Sequence, residues 1–133
     1  MLYCLHEGDE AELGGSWSDW SSLEVMITQG TRQIPLSNCR RISAFAFSSG
    51  VFLIEETANT CETARAKFYI NENGEFVFQG NAEAIKWLEE QVHMFKRSNP
   101  HVHAHIDSIS FESVLDDKSL ELVFYMEEET CAG

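Results

Sequence analysis

The tract from Lys67 to Arg97 constrains this chain more than any other part of it. Lys67-Phe68-Tyr69-Ile70 and Phe76-Val77-Phe78 are short β-type runs that flank Asn71-Glu72-Asn73-Gly74. Asn-Gly tolerates the positive φ angles of a tight turn, so the two runs are expected to pair as an antiparallel hairpin. Gly80-Asn81 then stops the second strand, with Asn81 placed as a helix N-cap and Glu83 in the first turn. Ile85, Leu88, Val92 and Phe95 recur at helical spacing, supported by Ala84 and Trp87, while Glu83, Lys86, Glu89, Glu90, His93 and Lys96 share the opposite, wet face. Lys96 and Arg97 suit a helix C-terminus and Asn99-Pro100 ends it, so a helix is predicted from Asn81 to about Arg97.

Strand patterns surround this unit. Leu23, Val25 and Ile27 alternate with polar residues and read as a strand. A short segment around Ile34 ends near Pro35. Arg41 to Ser48 and Val51 to Glu55 read as a hairpin through Ser49-Gly50, apolar enough to lie centrally in a sheet. Residues 57–64 are polar and read as a loop. His101 to Asp107 alternates strictly, and Ser119 to Tyr125 reads as the last strand, after a polar loop at Asp116-Asp117. Phe45, Phe47, Phe52, Phe68, Phe76 and Phe78 are expected in the sheet core. The first 22 residues, after a short strand, look irregular, with Trp17 and Trp20 pinning them to the body. The expected fold is α+β: one domain over residues 1–133, with an antiparallel twisted sheet of about seven strands and one main helix packed on one face.

Charge then limits function. The 133 residues carry nine Lys+Arg and 22 Asp+Glu, a net of −13. Residues 1–24 hold −6 of this and residues 107–133 hold −7, whereas residues 25–54 are net +3. Such a chain offers no broad face for phosphates, which excludes nucleic acid, and it is repelled by anionic membrane surfaces. Its natural partner is basic. The acidic ends read either as solvated edges that keep a small protein soluble or as a binding face assembled from the two ends of the chain, with Glu7, Asp9, Glu10, Glu12, Asp19, Asp116, Asp117, Glu127, Glu128 and Glu129 as contact residues and Trp17 and Trp20 as apolar ones. Cys4, Cys39, Cys61 and Cys131 lie far apart, without CxxC pairing. With no signal-type start and no membrane-length apolar run, the chain is read as cytoplasmic with reduced thiols.

One constellation could carry chemistry. His101, His103 and His105 project from one face of one strand, and Asp107 is in phase with them. His103, His105 and Asp107 are thus the alternative reading, a metal-binding protein or metal-dependent enzyme. Zinc needs three or four ligands, and the third histidine of a straight strand lies too far along to join. A wet histidine face over a packed Val102, Ala104 and Ile106 is the plainer expectation, with no cofactor. Glycine-rich phosphate loops, GxSxG elbows and HExxH helices are absent.

Residues 76–125 also carry a family pattern: a strand, Gly80-Asn81-Ala82-Glu83-Ala84-Ile85 opening a helix with Leu88, the strand HVHAHID, then Ser119-Leu120-Glu121-Leu122-Val123. This resembles the immunity protein 32 family of bacterial polymorphic toxin systems, through Gly80, Glu83, Leu88, His103, His105, Asp107, Ser119, Glu121 and Leu122. The resemblance implies a cytosolic inhibitor that binds and neutralises a toxin domain; the chain is expected to be non-enzymatic and a monomer or homodimer. A basic toxin would suit the acidic charge.

Overall fold

The computed structural model describes residues 1–44, 49–58, 63–97 and 103–127. Over those residues the fold is α+β, with nine strands and two helices, and the strands form two mixed sheets rather than one antiparallel sheet. The chain runs β1 (Tyr3–Glu7), β2 (Glu10–Gly15), α1 (Trp17–Thr28), β3 (Gln33–Leu36), β4 (Asn38–Arg41), β5 (Gly50–Glu56), β6 (Ala66–Ile70), β7 (Phe76–Gly80), α2 (Ala82–Arg97), β8 (His103–Ile106) and β9 (Glu121–Met126). The five-stranded sheet has the order β4-β1-β2-β9-β8, and the four-stranded sheet β3-β5-β7-β6. Three pairs are parallel: β1 with β4, β2 with β9 and β5 with β7. Parallel neighbours need long crossovers, and the intervening elements supply them.

The N-terminal segment is regular, contrary to expectation. β1 and β2 form a hairpin whose two-residue turn begins with Gly8 at φ 58°, the geometry that favours glycine at the first turn position. Residues 23–27 are helical, not a strand. Ser16 and Asp19 form a reciprocal capping box that starts α1. Trp20, Leu23 and Ile27 then face inward at helical spacing, while Val25, the centre of the apparent alternation, is exposed. The chain downstream follows the sequence more closely. In the β6–β7 hairpin the Asn71 side chain accepts the N–H groups of Asn73 and Glu75, and Gly74 takes φ 76°. β5 is interior as expected, but its neighbours are β3 and β7. The predicted 41–48 strand is not formed over its described residues: β4 lies before it and ends at Arg41, and residues 42–44 turn away; residues 45–48 lie outside the described residues. Pro35 is accommodated because β3 is an edge strand.

α2 starts and ends where its pattern indicates, burying Ala84, Ile85, Leu88, Val92 and Phe95; Trp87 is half-buried, stacked near Phe78. α1 and α2 lie against each other and against the inner face of the five-stranded sheet. There Trp20 meets Phe95 and Phe124 with ring centroids 4.9 and 4.7 Å apart. One continuous apolar cluster reaches from Leu2 to Met126 and takes in both sheets and both helices. No helix among the described residues is long and apolar enough to cross a membrane.

The two helices are also clamped at their surface. Glu24 on α1 accepts from Lys96 Nζ and pairs with His93 Nδ1 on α2, each at 2.8 Å. The Lys96 bond, helped by His93, holds the Glu24 carboxyl below the ordinary glutamate range. A group depressed in the folded state stabilises above its unfolded value and loses that contribution as pH falls through the folded value. The stability deficit of Glu24→Gln relative to wild type is therefore expected in full at pH 7. It should shrink below about pH 4.3, the ordinary glutamate value. Urea midpoints of both proteins at pH 7 and pH 3 check this, and an unchanged gap would contradict the clamp.

Candidate functional site

Strand alternation sends every second side chain of the five-stranded sheet away from the helices. Register places these outward residues in rows. Tyr3, Gly14, Tyr125 and His103 form one row across β1, β2, β9 and β8; Leu5, Glu12, Val123 and His105 form the next; Glu7, Glu10 and Glu121 form the third. Asp107, one residue past β8, lies at the same end as the third row. No described helix or strand packs over this face, on which Glu7, Glu10, Glu121, His103 and His105 are all exposed.

The face is both acidic and partly apolar. A groove of about 370 Å³ crosses it, with Leu5, Ile42 and Val123 as apolar lining and Glu10, Glu12, Glu121 and Asp107 as acidic lining. Adjacent strands lie about 4.8 Å apart, so the in-register carboxylates of Glu7, Glu10 and Glu121 repel one another. Among the described residues no ion pair reaches Glu7, Glu10, Glu12, Glu121 or Asp107. Arg40, at the far edge of the middle row, turns its guanidinium to the carbonyls of Arg41, Ile42 and Ala44 instead.

Other contacts stiffen the carboxylates. Tyr3 donates its hydroxyl to Glu12 at 2.8 Å, its ring lying across Gly14, where any Cβ would strike it. Burial, then Glu12, Glu127 and Tyr125, push the Tyr3 hydroxyl well above the usual tyrosine range, so it stays a donor. The Ser43 N–H and hydroxyl donate to Glu7. Asp107 accepts the Ser110 N–H at 2.7 Å, which keeps its carboxyl below the usual range and charged.

The expected contact residues divide accordingly. Glu7, Glu10 and Glu12 come together on this face, and Asp9 sits at its rim, with its carbonyl accepting the Glu121 N–H. Glu127 follows β9, its charge felt by Tyr3. Glu128 and Glu129 lie outside the described residues. Asp19 belongs elsewhere: it caps α1 and pairs with the N-terminal amine. Trp20 is fully buried and faces the core, so it cannot touch a partner. Trp17 is exposed, but on α1, behind the sheet, with Lys96 Nζ 5.0 Å above its ring. Asp116 and Asp117 belong to a loop along β6 of the other sheet, where the Asp116 N–H donates to the Ala66 carbonyl.

His103 and His105 are exposed on β8 with ring centroids 5.2 Å apart; His101 lies outside the described residues. Among the described residues no three His, Cys, Asp or Glu side chains are grouped to hold a metal ion. Tyr3, Leu5, Glu121 and Tyr125 were not marked by sequence reasoning, although Glu121 belonged to the family-like strand. Their strand alternation was the available signal.

Comparison of the chain with family models, curated proteins and solved structures returns no match.

Proposed function

We propose that this chain is a non-enzymatic binding protein that neutralises a basic protein partner by covering it with the outward face of the five-stranded sheet. The immunity-type resemblance of residues 76–125 makes a bacterial toxin domain the partner of choice. One observation carries the reading. The β2–β9 pairing joins the acidic segment before residue 25 to the acidic segment after residue 106, in register at Glu10 and Glu121. That row costs stability through like-charge repulsion, a cost that a cationic partner would turn into attraction.

Two measurements test this. The chain should rescue host cells that express a toxin domain encoded beside it, and failure to rescue removes the immunity reading. With that partner in hand, a Glu10→Gln, Glu12→Gln, Glu121→Gln triple variant should associate at least about tenfold more slowly at low salt, the lower end of electrostatic steering. The difference should fade as salt rises. The variant's own stability should hold or rise slightly, because repulsion is relieved. Unchanged association would refute electrostatic docking through this face.

A further inference from the structure

We propose that Cys4 and Cys39 are a dithiol pair that takes up a low-molecular-weight disulfide, Cys39 acting as the attacking thiol and Cys4 as the resolving one. Cys4 on β1 and Cys39 on β4 are register partners on adjacent parallel strands, and both are buried on the inner face. Register partners lie within the span of Cα separations, about 4.4–6.8 Å, that a disulfide bridges. The two thiols lie close enough to perturb each other's ionisation, and the Cys39 thiol also donates to the Gly74 carbonyl at 3.5 Å.

Their surroundings differ in a way that assigns the roles. Cys4 has no exposure at all, whereas Cys39 lines an open cavity of about 600 Å³ that also presents His6, Arg40, Arg41 and the acid Glu75. Gly50 on β5 lets Cys39 sit hard against its backbone, since any Cβ there would strike the Cys39 Cβ. The Cys4 thiol, aided by the Phe76 N–H, holds the Cys39 thiol below the ordinary cysteine value, while Cys39 and burial push Cys4 up. The two arginines against the single acid Glu75 leave this partly open setting net basic, which is where thiolates form and react. It would also draw in a disulfide that carries carboxylates.

The exchange balances within the named reactants. Cys39 gives its proton to solvent, and its thiolate attacks one sulfur of the small disulfide. That S–S bond breaks, and the departing thiolate takes up a proton. Cys4 then loses its proton and attacks the Cys39 sulfur, forming the Cys4–Cys39 bond and expelling the second small thiol, which is protonated in turn. Two protein thiols are oxidised and one disulfide becomes two thiols. The new bond would close the loop over residues 5–38 and tie β1 to β4.

The test uses the full chain and oxidised glutathione, followed by intact-mass and peptide mapping. Wild type should lose two hydrogens, with the cross-link mapped to Cys4 and Cys39, and its urea midpoint should rise and return on reduction. Cys4→Ser should accumulate one glutathione on Cys39. Cys39→Ser should leave Cys4 unmodified. A wild-type chain in which Cys4 and Cys39 stay reduced while Cys61 or Cys131 reacts would overturn the proposal. So would a Cys4→Ser chain with no adduct on Cys39. The wild-type map separates these outcomes even where a variant does not fold.

Discussion

Trp20→Ala is expected to cost about 3–5 kcal/mol, the range for removing a large buried aromatic. The side chain has no exposure and sits between Phe95 of α2 and Phe124 of β9. It thereby joins the first helix, the second helix and the five-stranded sheet at one point. Its Nε1 also donates to the Tyr125 carbonyl at 3.0 Å in a partly buried setting, and losing that bond adds to the cost. Domains of this kind hold only about 5–15 kcal/mol in all, so much of the population should unfold at mild denaturant. Urea titration gives the number. Trp20→Phe should retain most of the packing and lose the hydrogen bond, falling between wild type and alanine. A Trp20→Ala loss under about 1.5 kcal/mol would mean the three elements do not depend on this contact.

The second large effect is expected at Asn81, which is 1% exposed. Its Oδ1 accepts the Ala84 N–H at 2.9 Å, capping α2, and also the Arg65 N–H at 3.2 Å. Its Nδ2 donates to the Thr63 carbonyl at 2.8 Å. One side chain thus starts the helix and holds the segment leading into β6. Losing a cap costs about 0.5–2 kcal/mol, and leaving the buried Ala84 N–H and the part-buried Thr63 and Arg65 groups without this partner adds to it, so Asn81→Ala should lose about 2–4 kcal/mol. Asn81→Asp separates the roles. Aspartate caps as well as asparagine but cannot donate to Thr63, so it should remain clearly less stable than wild type. An aspartate variant of wild-type stability would reduce Asn81 to a simple cap.

That residue also marks what could be read in advance. The cap at Asn81, the helical period through Phe95 and the Asn-Gly turn are all decided within a few residues, and each was legible. α1 was not, because Leu23, Val25 and Ile27 fit a strand period, while only Leu23 and Ile27 share a helical face. The deciding signals were Ser16 with Asp19, and Trp20 as the first member of the buried stripe. An exposed Val25 does not follow from residue type alone, and of the two tryptophans expected to pin the segment only Trp20 is buried. The parallel pairings were beyond reach for a different reason. Local alternation says which face a residue takes but not which strand lies beside it. Glu7, Glu10 and Glu12 were therefore visible as acids, while their alignment with Glu121 was not. Composition does not separate Asp19 and Asp116 from that set, whereas in the fold their oxygens serve nearby backbone N–H groups.

The β2–β9 pair also bears on how the molecule comes into being. During synthesis, β1 and β2 can form their hairpin early, but residues 10–15 meet their other neighbour only when residues 121–126 have left the ribosome. Contacts so distant in the chain close slowly and late. Until then β2 keeps an open edge and the acidic row stops halfway. The acidic face is thus among the last features to exist, and it exists only in a chain translated through β9. A nascent chain halted earlier is not a weaker version of the finished one. It presents an unpaired strand to its neighbours on the polysome, where such edges invite misassembly.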